Sequence, residues 1–311
     1  MDNTPLNHPR WVLTIMGAIL AISTAAIFIK FAQLEGVPSL VIAALRLTLA
    51  MLVLTPLTVA RHHRDLSALT RRELAPALLA GLFLALHFAA WISSLEYTSV
   101  ASSVVIVTTT PLWVALVSPF VLNESLKRNT AIGLGLALVG GVIVGLSDAC
   151  GWQDGLSCPP WNELFGGRAL FGNFLALAGA WFSAGYLLVG RYVRTKLTLM
   201  PYIFIVYGAA ALVLLALMFG GGYSPFVYSL QGYLWLAALA LLPQLLGHSA
   251  FNWALRYLPA SFVSIALLGE PVGSTILAYF LLDETPAPLK LAGAALILVG
   301  IYAASLSTRQ D

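Results

Sequence analysis

An all-α polytopic membrane protein with ten transmembrane helices, laid out as two inverted five-helix repeats, follows from three features of this sequence. The 311 residues are 59% hydrophobic and only 9% charged, with a mean hydropathy of +0.89. Soluble domains carry about 25% charged residues, so the chain lacks the polar side chains to cover a water-facing surface. Its apolar residues run in continuous stretches of about 20, the length of a helix that crosses the hydrocarbon core. An outer-membrane barrel would instead need alternating segments of about 10. Finally, the two halves match at one fixed offset: Tyr97 with Tyr257, Pro111 with Pro271, Glu124 with Glu284, Gly133 with Gly293 and Gly140 with Gly300, every pair 160 residues apart. Such an offset marks an internal duplication.

Taken in order, the spans are expected at roughly 11–31, 38–60, 74–95, 100–122, 130–147, 170–190, 200–219, 231–254, 261–282 and 288–306. The first apolar run starts at Trp11 and is long enough to span, so no cleavable signal peptide is expected. Most connections are short, as between antiparallel neighbours. The exception runs from Asp148 to Arg168 and holds both cysteines, Cys150 and Cys158. With a cytoplasmic N-terminus, twelve Lys and Arg fall on the inner side, among them Arg61, Arg64, Arg71 and Arg72, and Arg191, Arg194 and Lys196. Only Lys30, Arg168 and Lys290 fall outside. That bias orients the chain with both termini in the cytoplasm, and puts the cysteine segment where a Cys150–Cys158 disulfide can form. The net charge of +3 therefore reports topology, and no nucleic-acid partner is expected.

Because five is odd, the second half enters the bilayer from the opposite side. The parts are then a first repeat, 1–147, an extracytoplasmic loop, 148–169, and a second repeat, 170–311. Inverted repeats of this kind build secondary transporters, with the substrate held near mid-membrane where the halves meet. Duplication in a scaffold without transport is the plainer reading; transport is favoured because inversion supplies two interconvertible faces.

The repeated pattern is P-x11-NE-x8-G-x6-G from Pro111 to Gly140 and P-x11-DE-x8-G-x6-G from Pro271 to Gly300. In this it resembles the drug/metabolite transporter superfamily, EamA type, over essentially all ten spans. The resemblance implies a bacterial inner-membrane protein similar to exporters of amino acids, aromatic amino acids and other metabolites. The cysteine-bearing loop is no part of the family motif.

The ninth span carries Glu270 at mid-depth, followed by Pro271. A charge there is tolerated only facing protein or a wet cavity. Pro271 removes a donor and frees the carbonyl of Leu267; Ser274 shares the face of Glu270. Arg46, alone in the second span, is expected to pair with Glu270, to bond backbone carbonyls, or to snorkel to the headgroups. If Glu270 is unpaired it is a candidate proton carrier; a structural role, as a polar lining or bonded to a carbonyl that the proline frees, ranks above that. In the third span His87 and Trp91 share a face, and in the eighth Gln244, His248 and Asn252 form a stripe at spacing four. Either histidine alone reads as a helix contact; the stripe as a whole reads as a cavity lining. In the sixth span Trp181 lies too deep for a boundary anchor; core packing and a substrate-facing wall are even, and the family resemblance tips it to the wall, with Gly185 leaving room beside it and Tyr186 following. Trp113 reads as packing. Pro111 and Pro271 are expected to kink opposed helices. Glu124 and Glu284 are expected to pair with nearby bases (Lys127 and Arg128; Lys290) or to cap the next helix. The glycines at 133, 140, 141, 145, 293 and 300 should let the fifth and tenth spans pack closely, or form a dimer seam.

No GxxxxGK[ST], HExxH, Gly-x-Ser-x-Gly or metal-spaced cysteine cluster occurs, so neither an enzyme nor a cofactor is expected. The substrate is a small molecule, the surroundings lipid, a proton the candidate co-substrate, and the state a monomer or homodimer. The function expected is export of small amphipathic metabolites, amino acids first. Import or exchange of a sugar or nucleotide-type solute, or carriage of a lipid, is the alternative. Impermeant labelling of tags at the two ends checks the topology: both should be protected in intact cells, and a tag at one end reacting while the other is protected would end the inverted-repeat reading.

Overall fold

The computed structural model describes residues 10–98, 100–149, 151–152, 156–158, 160, 167–282 and 285–308. Among them nine helical runs are long and apolar enough to cross a membrane, and an apolar stretch at Arg128–Val144 is shorter. In chain order the spans are Arg10–Leu34, Ser39–Ser67, Arg71–Ser94, a fourth in two pieces (Val100–Val107 and Thr110–Val121), Arg128–Ala149, Gly167–Arg194, Leu199–Gly220, an eighth built from Leu230–Leu239, Ala240–His248 and Ser249–Ala254, a ninth in two pieces (Ala260–Leu267 and Gly269–Leu282), and Pro288–Thr308. The expected all-α polytopic architecture is therefore present. The one extended element described is a two-residue antiparallel ladder, Gly151–Trp152 with Leu156–Ser157. Cys158 is disulfide-bonded; Cys150 and Glu284 lie outside the described residues.

Local chemistry sets the ends. After the first span Gly36 takes φ +76°, the left-handed turn that only glycine adopts without cost. Its N–H donates to Gln33 O (2.9 Å) and the next N–H to Ala32 O (3.1 Å), closing the last helical turn. Pro38 then starts the second span. The third opens on Thr70, whose N–H and hydroxyl both donate to the Glu73 carboxylate (3.0 and 2.8 Å), a capping arrangement.

Both prolines act where expected. A proline leaves the carbonyl four residues earlier without its donor. For Pro111 that residue is Val107, and for Pro271 it is Leu267, the very residues at which the first pieces of the fourth and ninth spans stop. The breaks are again 160 apart.

Many large apolar side chains face outward, as with Phe120 at 86% exposed, while the buried contacts mix large residues such as Phe88, Phe262 and Tyr207 with alanines and closely approached glycines. Such packing suits lipid, where hydrophobic burial no longer drives association. The third span packs on the sixth and seventh, the first on the eighth and ninth, the second on the seventh and eighth, the fourth on the sixth, and the fifth on the tenth. Exchanging the first five spans for the last five leaves these principal neighbours unchanged.

The fifth–tenth seam sets backbone against backbone. A Cβ on Gly133 would lie 2.5 Å from Gly300 O, and one on Gly300 2.6 Å from Gly133 O. Gly140 and Gly293 stand in the same relation, at 2.6 and 2.8 Å. These glycines thus pack within the chain; Gly141 instead faces Thr108 of the fourth span. Gly140→Ala or Gly293→Ala should each lower the Tm of the purified protein by a cost of about 1–3 kcal/mol, the usual range for overpacking. Gly135, in the same helix, has nothing within 4 Å of an added Cβ, and Gly135→Ala should leave Tm unchanged or raise it.

Candidate functional site

The two broken spans face one cavity of about 90 Å3, bounded by residues of the first, second, third, fourth, sixth, eighth and ninth spans. From the fourth come Val107, Thr108, Thr110 and Pro111, and from the ninth Ser264, Leu267, Leu268 and Glu270. Thr110 and Glu270 are partners at the 160 offset, so the two breaks put a hydroxyl and a carboxylate in equivalent places. The cavity is far smaller than the roughly 300–1,000 Å3 of pockets that enclose drug-sized ligands. Loading a solute larger than a few waters therefore requires the walls to move.

Of the residues expected at the site, His87, Trp91, His248, Glu270 and Pro111 border this cavity. Phe88 is their hub. The Arg46 guanidinium sits 4.2 Å over its ring, and His248 meets the ring edge-on (centroids 5.5 Å, 81°). His87 is stacked parallel to Trp91 (5.9 Å, 6°). Its Nδ1 lies 2.9 Å from Gly179 O; a carbonyl only accepts, so Nδ1 carries the proton and, in the neutral ring, Nε2 is left as the acceptor. This bond ties the third span to the sixth at a close approach: a Cβ on Gly179 would lie 3.2 Å from Trp91 Cβ.

Arg46 departs from all three expectations. It is 0% exposed, so it does not snorkel. None of its guanidinium nitrogens has a hydrogen-bond partner among the described residues, so it bonds neither a backbone carbonyl nor Glu270. No ion pair joins Arg46 to Glu270 among the described residues. Trp91 Nε1 is a second buried donor without a partner.

Other expected site residues lie elsewhere. Trp181 is 42% exposed, edge-on to Trp113 (5.5 Å, 88°). Two residues along a helix are about 200° of rotation, so with Ser183 on the cavity wall Trp181 points away; Gly185 meets the Phe83 ring instead. The eighth-span stripe divides. Ala240–His248 is π-helical around Pro243, and a wider turn takes residues four apart out of line. His248 borders the cavity, whereas Gln244 and Asn252 are buried behind it. There Tyr186 donates to Asn252 Oδ1 (2.8 Å) and Asn252 Nδ2 donates to the Tyr207 hydroxyl (3.3 Å). Pro271 shapes the break without bordering the cavity. Ser274 turns to the first span and donates to Ser23 O (2.9 Å).

Sequence reasoning missed Phe88, Thr110 and Ser183. The offset could have found two of them: Thr110 matches Glu270, and Ser183 matches Ser23, whose hydroxyl donates to the Glu270 backbone carbonyl (3.1 Å).

Away from the cavity, Glu124 gathers the ends of several spans. Its Oε1 accepts from Arg191 Nε (2.7 Å) and its Oε2 from the N–H of Ala260 (3.2 Å). Arg191 also donates to the carbonyls of Leu255 and Arg256 (2.8 and 2.9 Å). Glu124 thus caps the ninth helix and pairs with the sixth, and not with Lys127 or Arg128 as the sequence suggested. A carboxylate at a helix N-terminus meets the positive end of its dipole.

The geometry can be set beside known proteins. The EamA-like transporter family matches residues 9–146 and 170–306. A relative from Bacillus subtilis (strain 168), named "Uncharacterized transporter YetK", is 24% identical over 300 residues, covering 95% of this chain and 87% of that one. A solved structure titled "Crystal structure of protein" superposes with a TM-score of 0.77 over 98% of this chain and 99% of that one, at 20% identity; at that identity the likeness is one of fold. With the family matched over both five-span stretches, this chain belongs to the EamA-like transporter family.

Proposed function

We propose that this membrane transporter exports small amphipathic metabolites, amino acids first, across a bacterial cytoplasmic membrane by alternating access. The observation that carries the reading is one cavity walled by two proline-broken helices, one from each half, with an acid on its wall and a cation that has no hydrogen-bond partner among the described residues. Broken helices exposing backbone at membrane depth are tolerated only in protein or a water-filled cavity, and transporters place such breaks at their solute sites. The reciprocal neighbours of the spans, the two-way glycine contacts and the two family-matched stretches support division into repeats 1–147 and 170–311, with 148–169 as the connecting loop. The Lys and Arg bias supports cytoplasmic termini.

In that orientation the connections tied by Glu124 all lie on the cytoplasmic side, and the Glu124–Arg191–Ala260 contacts form an inner latch. Opening to the cytoplasm then requires breaking a charge-assisted bond and a helix cap. Charge-assisted hydrogen bonds are worth about 1.5–3 kcal/mol, and 1.4 kcal/mol is a factor of about ten.

Two measurements check this reading. Proteoliposomes preloaded with single solutes from a broad panel of aromatic and aliphatic amino acids, amines, organic acids and sugars should show counterflow with at least one amino acid; silence across the panel would remove the transport reading. In a chain whose native cysteines are replaced by serine, Ser183→Cys places a thiol on the cavity wall. Glu124→Gln should speed its modification by an impermeant reagent applied from the cytoplasmic face about tenfold, and not from the outer face. Equal acceleration from both faces would show that Glu124 holds the fold and not a gate.

A further inference from the structure

Resting on the transport reading, we infer that the cavity recognises a zwitterion, with Arg46 taking the carboxylate of the solute and Glu270 its ammonium. The inference starts from what Arg46 lacks. Two arginines are shut away from water among the described residues. Arg194 donates to the carbonyls of Asn252 (2.8 Å) and Leu197, which satisfies it. Arg46 has no hydrogen bond from any of its three nitrogens. Burying an unpaired ion is costly, and the Phe88 face beneath it stabilises the cation without supplying a hydrogen-bond acceptor. A chain keeps such a group where an anion completes it. Trp91 Nε1 on the same cavity is a further donor without a partner, so the donors gathered here exceed what the protein accepts.

Glu270 supplies the opposite requirement. It stands on a wall made by the ninth span, and Arg46 on one made by the second. Both border the space, yet no ion pair closes between them. Glu270 leaves Arg46 without a hydrogen bond among the described residues, and a solute that carries both charges answers the two groups once the walls move to admit it. The chemistry also selects against other classes. A phosphate would bring two negative charges to one cation with an acid nearby. A simple amine would leave Arg46 unpaired, and a simple acid would leave Glu270 unpaired. Leaving a buried charge without its partner is the strongest form of discrimination a site can exert. Phe88, Ile22 and Leu267 border the same space and suit a hydrocarbon side chain.

The test uses the purified full-length protein and matched trios: L-leucine, isoamylamine and 4-methylpentanoate; L-phenylalanine, phenethylamine and 3-phenylpropanoate. Binding is read by calorimetry. At least one amino acid should bind about tenfold or more tightly than both of its singly charged partners, by the cost of an unpaired buried charge. Arg46→Gln should abolish the preference over the amine, and Glu270→Gln the preference over the acid. The wild-type comparison needs no variant to fold. The inference is overturned if in both trios an amine or acid binds as well as its amino acid, or if no amino acid of the two binds. Counterflow restricted to solutes without an ammonium–carboxylate pair also overturns it, and would leave the transport reading standing; loss of counterflow across the whole panel removes both.

Discussion

Inside hydrocarbon a backbone carbonyl has no water to turn to, so each must find its partner within the protein. A proline in a membrane helix violates that requirement at one fixed place, four residues upstream. This chain does so twice, at Pro111 and Pro271, and the fourth and ninth helices stop at Val107 and Leu267. Such interruptions survive only where the surrounding helices shield them from lipid. The arrangement of the first, third, sixth and eighth spans around the two breaks follows from that constraint, and so does the presence of a cavity between them.

Around the breaks the polar groups divide into two sets. Behind the wall, Tyr186, Asn252 and Tyr207 bond one another, and such satisfied networks fix helix positions. On the wall, Arg46 and Trp91 Nε1 remain open. Behind the wall the Gln244 side-chain amide is also left without a partner among the described residues, so it is the charge of Arg46 and its place on the cavity, and not lack of a partner alone, that sets it apart.

Much of this was legible in the sequence. The spans, the two breaks, the glycine seam and the places of His87, Trp91, His248 and Glu270 come from apolar run length, proline chemistry and one repeated offset, all of which are local or strictly periodic. What was not legible depends on helical phase. Trp181 and Ser183 sit two residues apart, and no composition rule says which of them faces inward. Gln244, His248 and Asn252 align only on an ideal helix, and the π-helical turn at Pro243 removed that alignment. Arg46 was recognised as a buried cation, but whether a partner reaches it depends on separations between helices that sequence spacing does not encode. Glu124 had near bases in sequence and a nearer one in space, Arg191.

The glycine seam has a mechanical meaning as well. The fifth and tenth helices touch backbone to backbone through Gly133, Gly140, Gly293 and Gly300, a contact that resists sliding and that would serve as a fulcrum in the proposed cycle. Each follows directly on a broken helix in the chain. In the alternating access proposed above, a swing of the remaining helices about that seam would be absorbed at the two interruptions, around Thr108–Thr109 and at Leu268, as at matched elbows on a pair of lever arms.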